Sequence, residues 1–130
     1  MTSSDGRHQR SARSRAAIVE AVLEFLRSGD TSPSSSEIAA RAGVTQRTLF
    51  NHFDDMESLM HAVVAKHAER ILPLVPAGDP SGPLAARIDR FTEAVSQIAE
   101  DSQNIRWAAM THPNGERYGK AGVQFMREIL

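Results

Sequence analysis

Residues 34–53 constrain the fold most, because they have the features of two short helices joined by a tight turn. Ser34, followed three residues later by Glu37, forms a capping box, in which a hydroxyl and a carboxylate satisfy backbone amides at a helix start. Gly43 stands where a chain leaving a helix commonly adopts a left-handed backbone. Thr45 is a candidate N-cap for the second helix. The stretch therefore predicts a helix-turn-helix.

The second short helix, residues 46–53, has one apolar and one polar face. It is about 12 Å long at 1.5 Å per residue, which suits a DNA major groove. Small and apolar side chains are predicted to face inward, namely Ile38, Ala39, Ala42, Val44, Leu49 and Phe53. Three outward side chains have donors or acceptors that can read base edges, namely Gln46, Arg47 and Asn51. Five others suit contacts with phosphates, namely Thr45, Thr48 and His52 and, at the start of the preceding helix, Ser34 and Ser36. Ser34 and Thr45 would also cap helices in the absence of DNA.

Apolar residues at helical spacing predict further helices on both sides of this motif. The first covers residues 11–28, and a linking helix begins after Asp54 or Asp55 and ends near Pro73. Beyond it we predict a helix through Leu84 and Ile98, a shorter one over residues 104–111, a loop over 112–119 and a last helix over 123–130. The expected fold is all-α, with at least five helices and no sheet. It comprises a three-helix DNA-binding domain joined by the linking helix to a partial helical regulatory domain.

Composition divides this chain into three predicted parts. A flexible basic arm covers residues 1–10, the DNA-binding domain with its linking helix covers 11–72, and the regulatory domain covers 84–130, after the Pro- and Gly-rich segment 76–83. Residues 1–53 carry seven Arg against five Asp and Glu, a net charge of +2, whereas residues 54–130 carry −3 from eight basic and eleven acidic residues. The four arginines near the amino terminus could contact phosphates or belong to a solvated tail: Arg7, Arg10, Arg13 and Arg15.

Several classes of function are disfavoured by what the sequence lacks. No cysteine is present, which excludes disulfides and Cys-ligated zinc, and no nucleophile motif or phosphate loop occurs. His61 and His67 are six residues apart, which does not bring two imidazoles to ligand distance on one helix face. We therefore expect no enzyme activity, no metal and no cofactor. No apolar run approaches the roughly 20 residues of a membrane span and no signal peptide is evident, so we expect a cytoplasmic protein that does not contact a membrane.

The segment EIAARAGVTQRTLFNHF, residues 37–53, followed by DDMESLMHAV, residues 54–63, resembles the TetR family of bacterial transcriptional regulators. The resemblance implies a ligand-responsive repressor that binds double-stranded operator DNA in the major groove through residues 45–53. It favours a phosphate role for His52. Two positions depart from the family's usual pattern. Phe50 stands where Tyr is common and leaves only apolar contact with DNA, and Met56 stands where Lys is common.

The resemblance also implies a regulatory domain that binds an effector and pairs as a homodimer through later helices. A pocket for a small hydrophobic effector, if one forms, is predicted to be lined by Met60, Val64, Phe91, Val95, Trp107 and Met110. Ordinary core packing is the alternative for each of them. The chain is expected to stop inside this second domain. A truncated helical module that pairs with a full-length relative, without regulating DNA itself, is therefore the alternative function.

Overall fold

A computed structural model describes residues 3–74 and 81–111, which contain helices and no strand. The five α-helices are α1 (Ser3–Arg27), α2 (Ser35–Ala42), α3 (Gln46–His52), α4 (Met56–Ile71) and α5 (Leu84–Thr111). A 3-10 helix, Leu72–Leu74, follows α4. The predicted all-α fold class is confirmed. The predictions for residues 112–119 and 123–130 lie outside the described residues.

The ends of α2 and α3 show the predicted caps and glycine, although only one of the two hydrogen bonds of the predicted capping box forms within the described residues. Ser34 Oγ accepts from the amide of Glu37 at 3.2 Å, which is the forward half of the capping box. Gly43 follows α2 at a φ of 73°, in the left-handed region where a side chain would be strained. Thr45 Oγ1 accepts from the amide of Thr48 at 3.1 Å and so caps α3. The helix-turn-helix is therefore set by residues at the ends of its own two helices.

Helix α1 begins at Ser3, well before the predicted start at residue 11. The apolar pattern used for prediction starts only at Ile18, whereas described residues 5–13 are exposed on every side of the helix. Such a segment can continue a helix that is already nucleated on a core, because it contains no proline and Asp5 lies near the positive helix end. Periodicity cannot detect a helical segment without a buried face.

Helix α5 is continuous where the sequence predicted two helices. Its apolar stripe passes from Ile98 to Ile105 through Ser102, a polar residue that interrupts the pattern in sequence. Ser102 is nonetheless buried, because its hydroxyl lies 2.8 Å from His67 Nε2 of α4. A hydrogen-bonded serine thus occupies an apolar position without ending the helix.

One core joins the first four helices and the second half of α5. The side chains predicted to face inward from the helix-turn-helix do so: Ile38, Ala39, Leu49 and Phe53 are buried, and Ala42 and Val44 are partly buried against them. Helices α1, α4 and α5 contribute Ile18, Val22, Leu23, Leu26, Leu59, Met60, Val63, Ile105 and Ala108. Asp55 caps α4 by accepting from the Ser58 amide at 2.7 Å, and Pro73 lies in the 3-10 turn after its end. This core fixes the orientation of α3.

Candidate nucleic-acid interface

The outward face of α3 presents the three side chains predicted to read bases. Gln46, Arg47 and Asn51 are all exposed. Within residues 3–74 and 81–111, the side chains of Arg47 and Asn51 make no hydrogen bond or ion pair, and Gln46 Oε1 accepts from Ser35 Oγ at 3.5 Å. Bidentate hydrogen bonding to a base edge requires such unengaged donors and acceptors.

The predicted phosphate ligands at the helix starts are also accessible. Ser34, Ser36 and Thr45 are exposed and Thr48 is half-buried. Thr45 donates its hydroxyl hydrogen to Thr48 Oγ1 at 3.0 Å while accepting from the Thr48 amide. This arrangement leaves the Thr48 hydroxyl hydrogen available to donate outward. Ser34 and Thr45 act as caps. A phosphate contact by Ser34 would use its hydroxyl hydrogen, whereas one by Thr45 would first require its hydroxyl hydrogen to leave Thr48 Oγ1.

The carboxyl end of α3 combines an exposed and a buried aromatic ring. Phe50 is 42% exposed on the outward side, whereas Phe53 is buried. His52 lies between them and is half-buried. Met56 packs against the core. Apolar contact to DNA at Phe50 is therefore sterically open, whereas Met56 adds to the packing below the interface.

Arg15 has a contact that the sequence did not indicate. Its guanidinium lies 4.4 Å from the centroid of the Phe53 ring and donates to the His52 carbonyl oxygen at 3.2 Å. Sequence reasoning grouped Arg15 with the other amino-terminal arginines because all four belong to one basic stretch. A residue 37 positions away cannot be paired with it from a single sequence, so no local signal distinguished Arg15.

Arg7, Arg10 and Arg13 differ from Arg15 in having no such partner. All three are exposed on α1, and none makes an ion pair or hydrogen bond with another described residue. Their spacing of three residues places them on one side of the helix. Cations that no other described side chain engages are available to phosphate groups.

The six residues predicted to line an effector pocket occupy different environments. Met60 is buried in the core and Val64 packs partly against it. Phe91, Val95, Trp107 and Met110 of α5 are exposed. A groove of 280 Å³ lies instead between α5 and the end of α1, and it is lined by other residues: Leu26, Arg27, Glu100, Asp101, Asn104 and Ile105. The effector pocket stays a prediction.

Polar contacts hold α5 against the helices beneath it. Asn104 Nδ2 donates to the Leu26 carbonyl oxygen of α1 at 2.7 Å, and His67 of α4 bonds with Ser102. Burial lowers the pKa of His67 below the ordinary imidazole value. The cations of Arg27 and Arg70 act in the same direction, and Asp101 opposes them. Neutral imidazole is therefore the form that the contact between α4 and α5 favours.

A second polar contact crosses from α1 to the end of α4. Arg70 donates to both carboxylate oxygens of Glu20, and Arg27 pairs with the same carboxylate at 3.4 Å. Hydrogen bonding from Arg70 lowers the pKa of Glu20. Because these side chains are more than one-third exposed, the pair contributes little to the free energy of unfolding.

Two further classes of site do not occur in the described part of the chain. None of its helices is long and apolar enough to cross a lipid bilayer. Within the same residues, no three His, Cys, Asp or Glu side chains are grouped so that they could hold a metal ion.

The helix-turn-helix and the helices on either side of it match a known protein-family model. The model of "Bacterial regulatory proteins, tetR family" matches residues 17–63. That interval starts in the buried part of α1, includes all of α2 and α3, and ends at the buried Val63 of α4. Neither the curated proteins nor the solved structures contain a significant match.

Proposed function

Residues 17–63 form a TetR-family N-terminal helix-turn-helix domain, and on this premise we propose that the chain is a sequence-specific DNA-binding transcriptional regulator with α3 as its recognition helix. The observation that carries the proposal is the two-sided character of α3. Leu49 and Phe53 anchor it in the core, while Arg47 and Asn51 are exposed and unengaged within the described residues. Polar side chains held outward on a short anchored helix are the usual means of reading a major groove.

The roles of the interface residues divide into two groups. Arg47 has the chemistry to bond guanine through two donors, and Gln46 and Asn51 have the chemistry to bond adenine. Ser34, Ser36, Thr45, Thr48 and His52 contact phosphates, and Phe50 makes apolar contact with a thymine methyl. The exposed side of α1 adds charge through Arg7, Arg10 and Arg13. Phosphate contacts set position and affinity, whereas base contacts set sequence preference.

We extend the proposal to regulation on the basis of the family. The chain acts in the cytoplasm as a repressor that releases its operator when a small hydrophobic effector binds, and it binds DNA as a homodimer. The chemistry requires no catalytic residue, metal or cofactor. Support for this part comes from the TetR-type domain alone. Its test is whether hydrophobic compounds weaken binding to a selected DNA.

The exposed apolar stripe on α5 favours a second candidate function. Leu84, Ile88, Phe91 and Val95 are all exposed on this helix. A chain that presents such a stripe could pair with a full-length relative and block it without binding DNA itself. Sedimentation of the 130-residue chain with and without DNA separates the two. A dimer that binds DNA supports the regulator, whereas a monomer that shifts no DNA supports the pairing module.

The direct test of DNA recognition begins with selection of duplexes from fragmented genomic DNA by the full chain. Affinity is then measured for a selected duplex and for a scrambled one, at two salt concentrations. Arg47→Ala is expected to cost about 1–3 kcal/mol on the selected duplex and to relax preference at one base pair. Arg13→Ala is expected to weaken both duplexes equally and to reduce the salt slope by about one. If selection recovers no preferred sequence, α3 does not read DNA and the proposal is wrong.

A further inference from the structure

Two arginines lie over aromatic rings at the same distance, and they join different pairs of helices. Arg41 of α2 lies 4.4 Å from the centroid of Phe25 in α1, and it also pairs with Glu24 at 3.4 Å. Arg15 of α1 lies 4.4 Å from the centroid of Phe53, at the end of α3. The first contact joins the two supporting helices, whereas the second reaches the recognition helix itself. Substituting each arginine in turn therefore separates the general effect of losing an arginine–ring contact from the specific effect of losing it at the recognition helix.

The contact at Arg15 meets two separate requirements of α3. A helix leaves its last four carbonyl groups without an intrahelical partner, and α3 has only seven residues. Arg15 donates to one of these carbonyls, that of His52, at 3.2 Å. Its positive charge also lies at the negative end of the helix dipole. The same guanidinium covers the Phe53 ring, whose side chain is the last apolar anchor of α3 in the core.

We infer that Arg15 is a positioning residue for DNA recognition, which holds the carboxyl end of α3 at the angle at which Arg47 and Asn51 meet base edges. The inference rests on the proposed function and assigns Arg15 a role different from that of Arg7, Arg10 and Arg13. The role requires a guanidinium, because contact with the ring face and donation to the carbonyl oxygen occur together. Lysine carries the same charge but has no planar group to stack.

The test compares substitutions in the full 130-residue chain on one selected duplex and one scrambled duplex. Arg15→Lys is expected to lower the preference for the selected duplex about tenfold, the size expected for losing a stacked, charge-assisted contact. Its salt slope should stay close to that of the unaltered chain, because the charge is kept. Arg15→Ala should lower the preference by a similar factor. A phosphate contact would instead be rescued by lysine.

Two matched controls separate positioning from charge and from stability. Arg13→Ala removes a cation of the same stretch, and it should weaken both duplexes equally without changing the preference. Arg41→Lys removes the equivalent stacking between α1 and α2, and it should leave the preference unchanged. Thermal unfolding by circular dichroism confirms that each variant is folded at the binding temperature. If Arg41→Lys lowers the preference as much as Arg15→Lys does, the effect is general loosening and the positioning role is refuted.

A measurement without DNA tests the geometric part by itself. The Phe53 amide donates to the Leu49 carbonyl oxygen at 3.0 Å and closes the last turn of α3. Hydrogen exchange at this amide should become at least severalfold faster in Arg15→Lys and stay unchanged in Arg41→Lys, because local opening of α3 governs it. Unchanged exchange in Arg15→Lys would overturn the inference. Should the unaltered chain bind no preferred DNA, the proposed function fails, and the exchange result still decides whether Arg15 holds α3.

Discussion

The DNA-binding unit of residues 17–63 and the first half of α5 carry the same kind of apolar pattern but differ in what covers it. In the unit, Leu49 and Leu59 are fully buried between helices. On α5, the stripe from Leu84 to Val95 is 47–66% exposed. Helical periodicity indicates which side chains share a face, but it does not show that a partner element lies against that face. The difference shows that the amphipathic pattern in the first half of α5 describes a surface, whereas that of α3 describes a core.

The largest expected change in the free energy of unfolding comes from a substitution in the buried core. Leu49→Ala removes a fully buried side chain from a small core and should lower the free energy of unfolding by about 2–5 kcal/mol. Phe91→Ala, on the exposed stripe, should change it by about 0.5 kcal/mol or less. Urea titrations of both variants measure the two values. A loss at Phe91 as large as that at Leu49 would mean that the stripe is covered in solution.

A second pair of substitutions makes the comparison within one helix and one residue type. Ile105 is 6% exposed and Ile88 is 54% exposed, and both lie on α5. Ile105→Ala should therefore destabilise the chain by about 2 kcal/mol or more, while Ile88→Ala should be close to neutral. Equal losses from both would contradict the division of α5 into a packed and an exposed half.

A smaller loss is expected at the cap of the recognition helix. Thr45→Ala removes the acceptor for the Thr48 amide and should cost about 1 kcal/mol of stability. Thr45→Ser keeps the hydroxyl and should restore most of that loss. Chemical unfolding compares the three proteins. If serine destabilises the chain as much as alanine does, the cap hydrogen bond is not what stabilises α3 at this end.

The contact between α4 and α5 should make stability depend on pH. Because burial lowers the pKa of His67 in the folded chain, the unfolded chain binds the proton first as the pH falls. The free energy of unfolding should therefore be highest above the ordinary imidazole pKa of about 6.5 and decrease below it. Urea titrations at two pH values, one on each side of that pKa, measure the decrease.

A substitution on α4 tests whether His67 causes this dependence of stability on pH. His67→Gln should remove most of the difference between the two pH values, because it replaces the titrating group. A difference that persists in His67→Gln would show that another group is responsible.

The smallest expected change is in the fluorescence of the single tryptophan, Trp107, which lies on the packed half of α5 but points away from the core. Trp107 is 60% exposed, so its fluorescence should be red-shifted and readily quenched by acrylamide. Addition of small hydrophobic compounds should shift the emission to shorter wavelength only if they cover this side chain. Emission that is already blue-shifted in the free chain would show that another surface packs on Trp107.

The local features of the DNA-binding unit could be predicted from the sequence because each depends on neighbours in the chain. The caps at Ser34 and Thr45, the left-handed Gly43 and the inward face with Leu49 all involve residues a few positions apart. The exposed set on α3 follows from the same periodicity, and its members are where the pattern placed them. Their contacts with bases and phosphates remain predictions.

Features that depend on distant residues were decided only by the tertiary structure. Arg15 lies in a basic stretch, but its position against Phe53 results from the packing of α1 on α3. Ser102 interrupts an apolar stripe in sequence, yet α5 continues through it because His67 of another helix supplies a hydrogen bond. The amino-terminal turns of α1 continue from a helix that the core has already nucleated. Sequence periodicity and capping report interactions within a few residues, whereas these three outcomes depend on which surfaces the folded chain brings together.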